Sequence, residues 1–262
     1  MTSNPLIEKL TSMADADQAT HLSRFFKSTP GQYGAGDCFL GVKVPVTRAV
    51  VHDVWHNVGL QQLDACLHSQ WHEIRLAALL TLIKHYQAAK GDEQRQKEYI
   101  DFYLNHLYAV NNWDLVDLSC YPLLGDWLLH KDAVLLYQLA AEGTTIWEQR
   151  IGIVSTLQFL RHDRLEDTYA IADLLLCHHH DLIHKAVGWM LREAGKRDTD
   201  RLRSYLHTAA PSTETVRCEV MPRTMLRYAI ERLPEKERKA ILMSSRKREA
   251  TPSPTGTSSD RC

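Results

Sequence analysis

Nearly every long segment of this 262-residue chain carries apolar residues at the helical spacing of i, i+3, i+4 and i+7. Runs that alternate apolar and polar residues, as a half-buried strand does, are nearly absent. Glycine and proline are sparse and fall between the helical segments, of which the clearest cover residues 74–86, 150–160, 185–196 and 223–233. Because segments with strand-like alternation are nearly absent, this pattern predicts an all-α fold.

The helical segments also recur at a nearly constant interval. The charged residues near their starts are 39, 36, 35 and 38 positions apart, namely Arg75, Asp114, Arg150, Lys185 and Arg223. Helix-pair repeats of about 40 residues are typical of HEAT and armadillo solenoids, whose units bury their apolar faces by stacking on their neighbours. We therefore predict a helical-repeat solenoid with one concave surface; an irregular helical bundle with coincidental spacing is the alternative.

Two segments interrupt the helical pattern. Residues 28–45 are rich in glycine and proline, which predicts an ordered loop between an N-terminal helix and the first repeats. Residues 244–262 lack apolar periodicity, which predicts a disordered tail. The remaining residues, 1–243, are predicted to form a single domain.

Composition narrows the class of protein. With 44% hydrophobic and 24% charged residues, and no apolar run near the roughly 18 residues of a membrane helix, we expect a soluble protein of the cytosol. The formal net charge is −1, so binding to nucleic acid requires that basic residues be segregated on one face.

Cysteine and histidine spacing gives no metal site. The six cysteines show no CxxC pair or regular spacing, and we expect reduced, mostly buried thiols. His52 with His56, and His68 with His72, are four residues apart, but no motif supplies a third ligand. We interpret these histidines as solvated or capping residues.

The stretch NNWDLVD places a tryptophan and a carboxylate on one helical face. Trp113 and Asp117 are four residues apart, hence about one turn, while Asp114 is rotated by about 100° and is expected to cap or brace the helix. We expect Leu115, Val116 and Leu118 to face the core. A core indole at Trp113 and a cap or salt-bridge partner at Asp117 are the alternative.

A second face combines an indole with basic residues. Lys185, Trp189 and Arg192 are spaced i, i+4 and i+7, and Arg150 opens the helix one repeat earlier. If equivalent helices line a shared surface, these residues converge with Trp113 and Asp117 in a basic groove. Lysine and arginine neutralise DNA phosphates, and indole faces attract cations. A carboxylate there implies a positive charge to be met, such as an alkylated purine or an oxocarbenium-like sugar.

These segments carry a resemblance to a known family. In the order NNWDLVD, IWEQRIGI, LIHKAVGWMLREAGK and PRTMLRYAIERL, and at these separations, they resemble the AlkD-type DNA alkylation repair family of HEAT-like-repeat DNA glycosylases, over about residues 22–233. The resemblance implies a monofunctional glycosylase that removes cationic N3- and N7-alkylated purines from duplex DNA. It further implies no metal or organic cofactor and no base flipping. We expect a monomer.

The resemblance also implies roles for individual residues. Trp113 and Trp189 would contact the deoxyribose of the lesion, and Asp117 would stabilise developing positive charge and position the attacking water. Arg150 would hold the phosphate backbone, with Lys185 and Arg192 on the same DNA-binding face.

Part of the family's site is changed in this chain. Phe25 stands where the family has a tyrosine. Lys43 corresponds to the family's polar residue before the loop proline, and Tyr33 lies in an inserted loop from which it could approach the groove. Two other functions stay open: a DNA-binding protein that recognises damaged or branched DNA without catalysis, and a protein-binding helical scaffold. Asp117 favours the glycosylase over a DNA-binding protein without catalysis. The basic residues favour both of these DNA-binding functions over the protein-binding scaffold.

Overall fold

The structure, a computed structural model, describes residues 4–249. Across this range the β pairing is limited to two isolated bridges, between Cys38 and Trp71 and between Ala209 and Val216. Successive helices pack in a repeat-like arrangement. The predicted all-α, helical-repeat fold class is therefore confirmed.

The chain divides into two compact units, residues 1–127 and 128–262. Whether the two units fold together as the single domain predicted for residues 1–243 stays a prediction. In the described range of both units, no helix is both long enough and apolar enough to cross a membrane.

Unit 1 is built around one long helix, α5. Its helices are α1 (Pro5–Ser12), α2 (Ala16–Phe25), α3 (Val44–Val54), α4 (Leu60–Leu67), α5 (His72–Ala88), α6 (Glu93–Asn105) and α7 (Trp113–Cys120), followed by the short α8 (Asp126–Leu128) at the unit boundary. Helix α5 contacts α1, α3, α4, α6 and α7. Because it is surrounded, its residues from 72 to 83 are all buried, including the polar His72, Glu73, Arg75 and Thr81.

The glycine-rich loop before α3 is fixed by a carboxylate from α5. Glu73 accepts hydrogen bonds from the backbone N–H groups of Leu40, Gly41 and Val42, at 2.9, 2.9 and 3.2 Å. Gly41 has a φ of +88°, and a Cβ at this position would lie 2.0 Å from the backbone oxygen of Asp15. The prediction of an ordered loop is confirmed, although α3 begins at Val44, one residue before the predicted loop end.

Unit 2 is built around a second long helix, α13. Its helices are α9 (Val134–Glu142), α10 (Ile146–Val154), α11 (Thr156–Arg161), α12 (Glu166–Leu174), α13 (Asp181–Arg197), α14 (Thr199–His207), α15 (Arg217–Val220), α16 (Arg223–Ala229) and α17 (Glu235–Glu249). Helix α13 contacts α10, α11, α12, α14 and α16.

Glycine lets α13 approach α16 closely. A Cβ on Gly188 would lie 2.5 Å from both the backbone oxygen of Met225 and the Cβ of Tyr228. Gly188 immediately precedes Trp189, so the same contact fixes the backbone that carries this indole.

Most predicted helices are found, with changes at their ends. Residues 74–86 lie within α5 and residues 185–196 within α13, which confirms both. The predicted helix over 150–160 is interrupted at Ser155, between α10 and α11. The predicted helix over 223–233 ends at Ala229, shortly before Pro234, whose ring disfavours helical backbone in the preceding residue.

The predicted start of the C-terminal tail, at residue 244, is wrong. Helix α17 continues to Glu249, so residues 244–249 are helical, and the buried Ser245 accepts a hydrogen bond from Arg223 at 2.8 Å. The rest of the predicted tail, residues 250–262, lies outside the described residues.

The cysteine prediction holds in part. Cys66, Cys120 and Cys218 are buried free thiols and Cys38 is a half-buried one. Cys262 lies outside the described residues.

Candidate functional site

Helix α7 presents one carboxylate outward and one inward. Its first N–H, that of Trp113, is capped by the side-chain oxygen of Asn112 at 2.9 Å. Trp113 and Asp117 are half-buried and one turn apart, whereas Asp114 is only 6% exposed. The two aspartates of this helix therefore have different surroundings, and Asp117 is the more accessible of them.

The buried Asp114 is paired with a histidine from α5. Its carboxylate accepts a hydrogen bond from Nε2 of His72 at 2.8 Å, and Nδ1 of the same imidazole lies 3.1 Å from a carboxylate oxygen of Asp37. The guanidinium of Arg75 donates to the other oxygen of Asp37 at 2.5 Å. The expected bracing role of Asp114 therefore has a definite partner, and this network ties α7 and the glycine-rich loop to α5.

The same network overturns the interpretation of His72 as a solvated or capping residue. The imidazole is 2% exposed and lies between two carboxylates. Burial disfavours charge on it, but the charges and hydrogen bonds of Asp114 and Asp37 outweigh burial and raise the pKa of His72 to about 9. At neutral pH it is an imidazolium that donates a hydrogen bond to each carboxylate.

The neighbours of Asp37 likewise outweigh the effect of burial on its pKa. Burial alone would raise its pKa, but the hydrogen bond from His72 and the positive charge of Arg75 hold the pKa of this carboxyl below its ordinary value. Two cations thus face two carboxylates in one buried cluster. Burial of such charges is tolerated because each is matched.

An aromatic cluster surrounds Trp113 in unit 1. Its indole is stacked on Phe26 with ring centroids 5.4 Å apart, and it meets Phe25 edge-on at 6.0 Å. Phe26 is buried, but Phe25 is 57% exposed. The residue that stands in place of the family's tyrosine therefore lies beside Trp113 with an exposed apolar ring.

The other two predicted residues of unit 1 lie on the loop and at its end. Tyr33 is half-buried, and the ammonium of Lys27 lies over its ring at 5.7 Å from the centroid. Lys43 is exposed and is the residue before α3. A ligand could therefore contact the exposed Lys43 and the exposed part of Tyr33.

In unit 2, Trp189 lines an open cavity of about 320 Å³. The floor is formed by Leu157 and Leu160, and the charged residues around it are Arg161, Glu193, Lys196 and Arg197. The indole is half-buried in this wall. Three further basic residues, which no sequence motif indicates, thus share a cavity with one of the two predicted tryptophans.

The predicted basic neighbours of Trp189 are both half-buried and both paired. The ammonium of Lys185 lies 2.7 Å from the carboxylate of Asp181, one turn earlier on α13. Arg192 pairs with Glu231 and also contacts Glu193 at 3.3 Å. Their charges are therefore partly neutralised within unit 2.

Arg150 does not have the position expected for a phosphate contact. It is 5% exposed, and its guanidinium donates to the backbone oxygen of Leu182 at 2.5 Å. In this conformation it holds α10 against the start of α13, and it offers almost no surface to a ligand.

The predicted site residues are divided between the two units. Trp113, Asp117, Tyr33 and Lys43 belong to unit 1, and Arg150, Lys185, Trp189 and Arg192 belong to unit 2. Their convergence in one concave basic groove stays a prediction. Between residues 4 and 249 no group of three or more His, Cys, Asp or Glu side chains could hold a metal ion.

Comparison with known proteins places this chain in a family. The family model described as "DNA alkylation repair enzyme" matches residues 6–233, most of the chain. A search of curated proteins gives no match. Among solved structures, a predicted DNA alkylation repair enzyme from Enterococcus faecalis is similar with a TM-score of 0.64 and 17% identity, covering 85% of this chain and 97% of that one. At this identity the structural likeness concerns the fold, while the family match extends over both units. The chain therefore belongs to the DNA alkylation repair enzyme family.

Proposed function

We propose that this protein is a DNA glycosylase that hydrolyses the N-glycosidic bond of cationic N3- and N7-alkylated purines in duplex DNA. The observation that carries the proposal is that the two aspartates of α7 have different surroundings. Asp114 is committed to the buried His72, whereas Asp117 lies on the accessible side of the helix, one turn from Trp113.

Asp117 suits the chemistry of this bond. An alkylated purine is already cationic and leaves as a neutral base, so no general acid is needed for the leaving group. Positive charge develops on the deoxyribose as the bond breaks, and a carboxylate stabilises such charge and can orient the attacking water. The indole of Trp113, fixed against Phe26, would provide an electron-rich face to the same sugar.

Unit 2 would supply the second indole and contacts to the DNA backbone. We propose that Trp189 also contacts the deoxyribose, and that Lys185 and Arg192 contact phosphates together with the basic residues around the Trp189 cavity. Lys43 and Tyr33 would contact the DNA from unit 1. Because Arg150 is buried, we propose that it acts by fixing α13, which carries Trp189, and not by touching phosphate.

The proposed reaction leaves the base within the duplex and uses neither a metal nor an organic cofactor. In support, Asp117 and Trp113 lie at the half-buried surface of a helix, where a sugar in intact duplex could reach them. A base flipped out of the stack generally enters a snug pocket. We propose that the protein acts as a monomer.

A second candidate function is favoured by Phe25. The exposed phenyl ring beside Trp113 lacks the hydroxyl of the family's tyrosine. If that hydroxyl is needed for bond cleavage, the protein would recognise damaged or branched DNA without cutting the glycosidic bond.

Release of 7-methylguanine from methylated duplex DNA distinguishes the two candidates. We expect release by the native chain and a rate at least about tenfold lower for Asp117→Asn, which corresponds to the loss of about 1.4 kcal/mol of transition-state stabilisation. Asp101→Asn is the matched control, because Asp101 is a surface carboxylate of the same unit that pairs with Lys97. Duplex binding without release by the native chain would favour the second candidate.

A further inference from the structure

Unit 1 also contains a cavity, of about 400 Å³, which lies where α3, α5 and the end of α7 meet. It is lined by Arg48, Val51 and His52 of α3, by Leu80, Ile83, Lys84 and Gln87 of α5, and by Leu118, Tyr121 and Pro122. None of the residues proposed above for DNA binding belongs to it.

The cavity carries two cations that have no carboxylate partner in the described part of the chain. Arg48 and Lys84 are both exposed, and the described lining contains no aspartate or glutamate. Several other surface cations are paired with a carboxylate, as Lys97 is with Asp101 at 2.5 Å and Arg197 with Asp163 at 2.7 Å. Two unmatched positive charges around one concavity favour an anion from outside the chain.

The floor of the cavity is apolar. Val51, Leu80 and Ile83 are 2%, 7% and 9% exposed and form it together with Leu118. Leu118 is half-buried here and does not face the core as expected from the sequence. An anion that also carries carbon surface therefore fits this cavity better than a small inorganic ion does.

The cavity is next to the proposed catalytic carboxylate. Trp113, Asp117 and Tyr121 are spaced i, i+4 and i+8, so each lies about 6 Å further along the helix axis than the one before. At Tyr121 the helix continues as a π-helical turn, Tyr121–Gly125, and Tyr121 and Pro122 of this turn line the cavity. The accessible side of α7 thus leads from the aromatic cluster, past Asp117, to the two cations.

We propose that this cavity binds one sugar–phosphate segment of a DNA strand, one to two nucleotides from the sugar that Asp117 faces. The phosphate lies between Arg48 and Lys84, and the carbon face of the deoxyribose lies against Leu80 and Leu118. The proposal rests on DNA as the substrate but not on cleavage. Its effect would be to fix the position of the strand along α7 and so the distance between the lesion and Asp117.

The test uses the full chain and the double variant Arg48→Ala/Lys84→Ala. Binding to an unmodified duplex is measured by fluorescence anisotropy at several salt concentrations. Each phosphate contact contributes about 0.9 to the slope of log K against log salt concentration, so the double variant should bind more weakly with a slope smaller by about 1 or more. The matched control is Lys90→Ala/Lys97→Ala, which removes two positive charges from the same unit, away from the cavity, and should leave the slope nearly unchanged.

The outcomes separate this proposal from the proposed glycosylase activity. A smaller slope for the cavity variant alone supports the subsite whether or not the native chain releases 7-methylguanine. Equal slopes for the native chain and the cavity variant, or equal losses in the cavity and control variants, would overturn it even if release is intact. Failure of the native chain to bind duplex would overturn it as well. Because all four side chains are exposed, we expect both variants to fold, and circular dichroism checks this.

Discussion

Replacing His72 with glutamine should destabilise the protein in a pH-dependent way. The imidazolium of His72 bridges the buried carboxylates of Asp37 and Asp114, at 3.1 and 2.8 Å. Glutamine can keep one hydrogen bond but no positive charge. Removal of one partner from a buried ion-pair network typically costs about 3–5 kcal/mol, since it leaves a charge unmatched.

The pH dependence follows from the proton that His72 holds in the folded state. Its pKa rises from 6.5 to about 9 on folding, and at 1.36 kcal/mol per pKa unit this stabilises the fold by about 3 kcal/mol. A raised pKa means that this contribution is fully present below about pH 6.5. It declines as pH rises and is lost above the folded-state pKa of about 9.

Urea unfolding of the native chain and of His72→Gln, at several values between about pH 6 and pH 10, tests this reasoning. We expect the difference in the free energy of unfolding to be largest near pH 6 and to shrink by about 3 kcal/mol toward pH 10. His21→Gln removes an exposed imidazole from the same unit and serves as the control. A native-to-variant difference that stays constant over this range would show that His72 is not charged in the folded protein, and would refute the argument.

Three further predictions concern helix packing, the glycine-rich loop and the aromatic cluster. Gly188→Ala should lower the free energy of unfolding by about 1–3 kcal/mol, since its Cβ would lie 2.5 Å from Met225 O; an unchanged thermal midpoint would contradict the close approach of α13 and α16. Glu73→Ala should leave three buried backbone N–H groups without their acceptor and make the loop the first site of limited proteolysis, whereas cleavage elsewhere would argue against this role. Trp113→Ala should slow 7-methylguanine release more than it weakens duplex binding, and equal losses in both would assign Trp113 to binding alone.

The sequence was sufficient to predict the helical class, because apolar spacing at the helical period is set by local geometry. It was also sufficient to separate Asp117 from Asp114, since residues four apart share a helical face and residues one apart do not. The different burial of the two carboxylates follows from that rotation.

The partners of the buried charges could not be predicted in this way. His72, Asp37 and Asp114 are separated by 35 and 42 residues in the hydrogen bonds that join them, and no local pattern links them. Arg150 illustrates the same limit. The sequence pattern puts it at the start of a helix, whereas it lies in the middle of α10 (Ile146–Val154), is buried and donates to the backbone oxygen of Leu182, 32 residues away.

The cavity between α3 and α5 could not be predicted from the sequence for a related reason. Arg48 and Lys84 each occupy an ordinary position on an amphipathic helix, and only the packing of those helices brings them to one cavity. A signal was nevertheless present in Leu118, an apolar residue next to Asp117 on a helix with an accessible side. Its half-buried position reflects the cavity wall.

Single-turnover release of 7-methylguanine, with the native chain and Asp117→Asn each at a concentration that saturates the same methylated duplex, tests the central claim most directly. Saturation removes differences in binding, so the rate reports the bond-breaking step alone. The proposed role of Asp117 predicts release by the native chain and a rate at least about tenfold lower for the variant. Equal rates for the two proteins would contradict it.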